Sequence, residues 1–172
     1  QLHKELNLEY GQGMEVINQL TNFDGEWSGY DTDGLGFIEA VKYIGISVKD
    51  SILKIKGGGS TARSVAHQWS KYGGKLIFER GRRDIGNGPW DNSIIENIDP
   101  DLSVDFDILP GIKIDENTIS DEYYVISYDE NYNNNDFAII MLVAQHLEAW
   151  KLIISDEFNT KIPTIRQVLS KL

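Results

Sequence analysis

The stretch from Ser51 to Gly73, SILKIKGGGSTARSVAHQWSKYG, limits the fold more than any other part of the chain. SILKI alternates as a short strand does, and a run of three glycines follows it. Beyond the glycines, Ala62, Val65, Ala66 and Trp69 fall at i, i+3, i+4 and i+7, one apolar stripe of a helix that Gly73 can end. A strand, a glycine turn and a helix in that order are what a dinucleotide-binding turn requires. In the pattern Gly57-x-Gly59-x-x-Ala62 each small residue has a mechanical task. Gly57 permits the tight turn, Gly59 lets backbone approach a pyrophosphate, and Ala62 lets helix and strand pack closely. The helix start at Ser60 and Thr61 offers free N–H groups to phosphate. Three glycines are also the composition of a flexible loop, and it is the strand before and the helix after that favour the binding turn. Lys54 and Lys56 interrupt a strand expected to be buried on both faces. Either the strand is less buried than usual or the lysines reach its ends.

The next strand, KLIFE, ends at Glu79, about twenty residues past the glycines, where such folds read the adenosine ribose. An acid there accepts a bond from a 2′-hydroxyl and favours NAD, whereas a guanidinium pairs with a 2′-phosphate and favours NADP. This chain has both, Glu79 followed by Arg80, Arg82 and Arg83. The bland reading is a solvated basic turn. Three arginines in four residues of so acidic a chain favour an anion site, and the choice between NADP and NAD stays open.

Around this unit, EVINQL and EWSGY read as two strands joined by a turn at Asn22, Asp24 and Gly25. GLGFIEAVKYIG has Leu35, Ile38, Val41 and Ile44 near helical spacing, with Gly45 as a stop. Arg80 to Pro100 reads as loop, VDFDIL and YYVISY as strands, and FAIIMLVAQHLEAWKLII as a long buried helix. IPTIRQVLSKL reads as a terminal helix with Pro163 in its first turn. Trp69 and Trp150 sit at helical positions expected to be core, and His146 reads as a surface or packed histidine. The alternation predicts an α/β fold: a Rossmann-like, mainly parallel sheet with helices on both faces.

Composition narrows the partners. The chain has 172 residues and a formal net charge of −11, which disfavours nucleic acid and anionic membranes. It has no cysteine, so disulfides, cysteine zinc sites and a thiol nucleophile are excluded, and the three histidines show no metal spacing. No window approaches a membrane span and no signal peptide is visible, so the expected location is cytoplasmic. The first residue is Gln1, and an upstream segment is therefore expected to be missing. A homodimer stays open.

The remaining question is GYDTDGLGF, Gly29 to Phe37, where Asp31, Thr32 and Asp33 stand in a row before a helix. Capping explains Asp31 or Thr32. The wider chain resembles the shikimate dehydrogenase family. GYDTDGLGF resembles its N-T-D-G-x-G segment, and GGGSTARSVA its G-x-G-G-x-x-R-x-V turn, with Arg63 in the matching place. VINQL looks like its V-N-T-L strand, FERG stands where it carries N-R-T, ISYDENY resembles its Y-D-x-x-Y, and MLVAQHLEAWKL its M-L-V-x-Q helix.

The resemblance implies NADPH-linked reduction of 3-dehydroshikimate to shikimate, with a Lys–Asp pair handling the proton. It implies Asp33 as the catalytic aspartate, with Asn18, Asp33, Gln145 and Tyr132 toward the substrate. Toward the cofactor it implies Gly57, Gly59, Ser60, Thr61, Ala62 and Arg63, with Glu79, Arg80 and Arg83 at the ribose. On that pattern residues 1–32 are a remnant of the substrate domain and the connection from it. Residues 33–136 bind the dinucleotide, and 137–172 return toward the substrate. Several departures are plain. The family's catalytic lysine lies in a preceding domain, and Lys4 sits in no matching motif. Asp31 replaces the Asn, N-R-T becomes Glu79-Arg80-Gly81, and DFDILPGIKI is far shorter than the I-N-A-T-P-x-G-M loop. The rivals are a non-catalytic homologue that binds a dinucleotide or metabolite, and an NAD-dependent quinate/shikimate dehydrogenase.

Overall fold

The computed structural model describes residues 16–108, 123–126, 133, 136–154 and 161–172. The described residues open with an antiparallel hairpin, β1 (Gln19–Phe23) and β2 (Glu26–Tyr30), in which Phe23 pairs with Glu26. The two loop residues, Asp24 and Gly25, both have positive φ, as the tightest hairpin turn demands. The first strand starts at Gln19, later than the expected EVINQL, while Asn18 turns its side chain to other work.

Next come α1 (Asp33–Tyr43), β3 (Ile52–Lys56), α2 (Ser60–Lys71) and β4 (Lys75–Glu79). After a short 3₁₀ turn at Asp91–Ser93 follow β5 (Leu102–Asp105), β6 (Tyr123–Val125), α3 (Phe137–Ile153) and α4 (Ile165–Leu169). Four strands form one parallel sheet in the order β4-β3-β5-β6, the Rossmann-like arrangement expected. A single parallel bridge, Leu76 to Ile94, ties the Arg80–Pro100 loop to the β4 edge, and buried Trp90 and Ile85 pin that loop to the core.

The three long helices described form one layer. α1 lies between α2 and α3, α2 touches β3 and β4, and α3 touches β6. The Phe37 ring, on α1, meets Trp69 of α2 at 6.1 Å and Phe137 of α3 at 5.5 Å. The α2 stripe Ala62, Val65, Ala66 and Trp69 is fully buried, as its spacing requires. On α1 burial runs through Phe37, Ile38, Ala40 and Val41, wider than one stripe, because this helix packs on two others.

The lysines of β3 now have a place. Leu53 and Ile55 face the helices and are wholly buried, while Lys54 and Lys56 point to the opposite face. There Lys54 Nζ is 2.6 Å from Glu79 and Lys56 Nζ is 3.1 Å from Asp105. Among the described residues no long helix covers this second face.

Three expectations change. β5 ends at Asp105, short of VDFDIL, because the Asp107 N–H donates to the Asp105 carboxylate at 2.7 Å and turns the chain away. Pro163 lies outside its helix; Thr164 is the cap, its hydroxyl and the Gln167 side chain satisfying each other's backbone N–H groups. Trp150 is exposed, since it falls on the side of α3 turned from α1. No helix among the described residues is long and apolar enough to cross a membrane.

Candidate functional site

Asp33 opens α1, and its carboxylate is almost fully buried. Asn18 Nδ2 donates to one of its oxygens at 2.5 Å. Thr61 Oγ1, from the first turn of α2, donates to the other at 2.9 Å. Asn18 also accepts the Thr32 N–H at 2.9 Å and donates to the Thr32 hydroxyl at 3.1 Å. One amide thus fixes the start of α1 and aims Asp33. Each carboxylate oxygen keeps further lone-pair capacity.

The expected capping is divided: Asp31 accepts the N–H of Asp33, the first residue of α1, at 3.3 Å. The side chain of Thr32, at the cap position, makes no capping bond. Ser64 of α2 supplies the oxygen instead, accepting the Gly34 N–H at 2.6 Å. The Ser64 hydroxyl in turn donates to Asp31. Burial, joined by the Asp33 charge, pushes the Asp31 carboxyl up to about 6, against the opposing pull of the Ser64 bond. The two glycines of DGLG are contact points. A Cβ on Gly34 would lie 2.4 Å from the Ser64 carbonyl, and one on Gly36 would lie 2.6 Å from Gln145 Cα. Gln145 therefore stands beside α1 one turn below Asp33, half-buried, with its side chain in no hydrogen bond among the described residues.

The glycine turn joins β3 to α2. Gly57 has a φ of 102°, open to glycine and costly for any other residue. A Cβ on Gly59 would meet nothing within 4 Å, and the α2 N-terminus has no side-chain cap. The first N–H groups of α2, at Ser60 and Thr61, are thus left for an anion, which fits a pyrophosphate. Ala62 is fully buried against the core, and Arg63 is exposed beside the Asp84–Gly86 loop. Glu79 is turned to the open sheet face and paired with the lysines, while Arg80 and Arg83 are exposed in the loop after β4. Tyr132 lies outside the described residues.

The structure brings Asn18, Asp33, Thr61 and the glycine turn into one continuous place, with Gln145 a turn away. It leaves the Glu79 side chain outside that place. Asp107, Ser64 and the Ser64 bond of Asp31 are not readable from local sequence, because these partners lie 25 to 50 residues away and no periodicity links them.

A parallel sheet with a glycine turn at the central strand defines the class: a Rossmann-like dinucleotide-binding fold. No family model matches the chain. Over 63 residues it is 30% identical to the shikimate dehydrogenase (NADP(+)) of Staphylococcus epidermidis, a match covering 37% of this chain and 23% of that protein. The shikimate dehydrogenase (NADP(+)) of Alkaliphilus oremlandii is 39% identical over 62 residues, 36% of this chain and 22% of its own length. The quinate/shikimate dehydrogenase of Shigella flexneri is 37% identical over 69 residues, 40% and 28%. These matches span about a quarter of each relative. In fold, shikimate dehydrogenase 1 of Peptoclostridium difficile superposes with a TM-score of 0.63 at 15% identity, covering 99% of this chain and 72% of that one. The Thermus thermophilus enzyme solved with NADP(H) and shikimate gives 0.63 at 16%, covering 91% and 67%. The chain is shikimate dehydrogenase-like over part of its length.

Proposed function

We propose that this chain carries the dinucleotide side of a shikimate dehydrogenase, an NAD(P)-dependent oxidoreductase acting on a CH–OH group. The reaction is reversible reduction of 3-dehydroshikimate to shikimate. The observation that carries the reading is the 2.9 Å bond between Thr61 and Asp33. It puts a buried, oriented carboxylate against the first turn of the helix whose N-terminus suits a pyrophosphate.

A nicotinamide dinucleotide bound at the turn would supply or take the hydride. The chain's own residues do the rest. Ser60 and Thr61 offer N–H groups to the phosphates. Asp33 accepts a hydrogen bond from a ring hydroxyl and keeps it aligned, while Asn18 and Thr61 stop the carboxylate from rotating. Gln145 offers an uncommitted amide to a second hydroxyl. Arg80 and Arg83, exposed after β4, give NADP as the expectation and NAD as the alternative, and the side chains around the Gly57 turn decide between them.

The test is an absorbance assay with shikimate and each cofactor. Turnover is expected, and Asp33→Ala should lower kcat by about 10²-fold or more while the thermal melt stays cooperative. Turnover unchanged by Asp33→Ala would overturn the role given to this residue. A second reading has its own support: among the described residues the Asp33 carboxylate is held by Asn18 and Thr61, and no lysine pairs with it. In that reading the protein binds a dinucleotide without catalysis, and binding without turnover would select it. Turnover of quinate with NAD would select the quinate-type alternative.

A further inference from the structure

The glycine turn has an unexpected neighbour. Asp107, two residues past β5, lays its carboxylate across the space between Gly57 and Gly81. A Cβ on Gly57 would stand 2.8 Å from Oδ1, and one on Gly81 would stand 1.9 Å from Oδ2. A side chain at either place would collide with this carboxylate. Asp107 is also held. The Arg82 N–H donates to Oδ2 at 2.5 Å, the Arg82 Nε lies 3.7 Å from Oδ1, and the side chain is only 16% exposed. Its own N–H is tied to Asp105 at 2.7 Å.

In a dinucleotide fold the space between the first glycine and the end of the second strand is where the adenosine ribose is read. Glu79, the acid that spacing nominates, is committed to Lys54 at 2.6 Å on the other face of the sheet. Asp107 comes from a different strand and stands where Glu79 was expected to act. A ribose 2′-hydroxyl is a donor and suits a carboxylate. A 2′-phosphate carries close to two negative charges at neutral pH and is repelled by one. The Arg82 guanidinium, which lies against this space, is already partnered with Asp107.

We propose that Asp107 sets cofactor choice, favouring a dinucleotide with a free adenosine 2′-hydroxyl over its 2′-phosphorylated form. This rests on the reading that a dinucleotide lies at the Gly57 turn.

Isothermal titration of the protein with NAD and with NADP tests it, with thermal melts to certify each variant as folded. NAD is expected to bind at least about tenfold more tightly than NADP. Asp107→Asn, which keeps an acceptor for the Arg82 N–H, should shrink that ratio about tenfold, chiefly by tightening NADP. Arg82→Ala, which strips the carboxylate of its counter-charge, should widen it. Tighter NADP binding by the wild type, or a ratio unmoved in both folded variants, overturns the proposal and leaves the dinucleotide reading standing. Absence of binding by either nucleotide to the folded wild type overturns both.

Discussion

Asp31 shows what burial beside a second acid does to a carboxyl group. Its carboxyl, pushed up to about 6, holds a proton in the folded chain that the unfolded chain releases near 3.8. Its contribution to stability is therefore complete below about pH 3.8 and is lost as pH rises through about 6. Asp31→Asn cannot titrate yet still accepts the Ser64 hydroxyl. Relative to wild type, its urea midpoint should climb steadily between about pH 4 and about pH 6.5, then level off. A wild-type-to-variant difference that is flat across this range would remove Asp31 from the pH response. The neighbouring residues differ in kind: both acids are tied to α2, Asp31 through Ser64 and Asp33 through Thr61, and Asp33 alone is also held by Asn18.

Between elements, the glycines of α1 decide how closely the helices approach. A methyl on Gly36 would press on the Gln145 backbone at 2.6 Å, where no rotamer change can relieve it. Gly36→Ala gains about 1 kcal/mol of helix propensity and should still lose about 2 kcal/mol net by forcing α1 from α3. Chemical denaturation measures this, and a stabilised variant would contradict the close packing. Trp69→Ala, at the junction of α1, α2 and the Lys75 carbonyl, should cost about 3–5 kcal/mol. These elements were largely legible in advance. The Ala62–Trp69 stripe, the Asp24-Gly25 turn and the KLIFE strand announce themselves through local period and turn chemistry. Trp150 does not, because α3 is apolar almost all round and its period cannot say which side faces a partner. The site was half legible. Asp33 and the glycine turn carry local signals. Asp107 carries none, since its position against Gly57 depends on which strand lies beside β3.

At the scale of the whole molecule, the described sheet has one dry face and one polar face, and the polar one is a linked system across all four strands, with Glu79 of β4 lying 3.8 Å from Lys56. Lys56 of β3 meets Asp105 of β5 at 3.1 Å, and the Tyr123 hydroxyl of β6 donates to the same carboxylate at 3.1 Å. Burial, with Asp105 adding to it, pushes the Tyr123 phenol up to about 12, and the phenol therefore stays a donor at ordinary pH. Asp105 is 2% exposed whereas the Lys56 side chain is 40% exposed, so the two ends of this pair are unequal. Removing the lysine strands a buried charge, the costly direction, although water can reach the vacated side and screen it. Lys56→Met should therefore cost about 1–2 kcal/mol, below the 3–5 kcal/mol typical of a fully buried pair. Adding Asp105→Asn removes the stranded charge while keeping an acceptor for the Asp107 N–H that ends β5, and should return at least half of the loss. A double variant less stable than Lys56→Met alone would mean that Asp105 is held by Tyr123 and the Asp107 turn rather than by the lysine. The polar face would then be a by-product of strand order, with no part in joining β3 to β5.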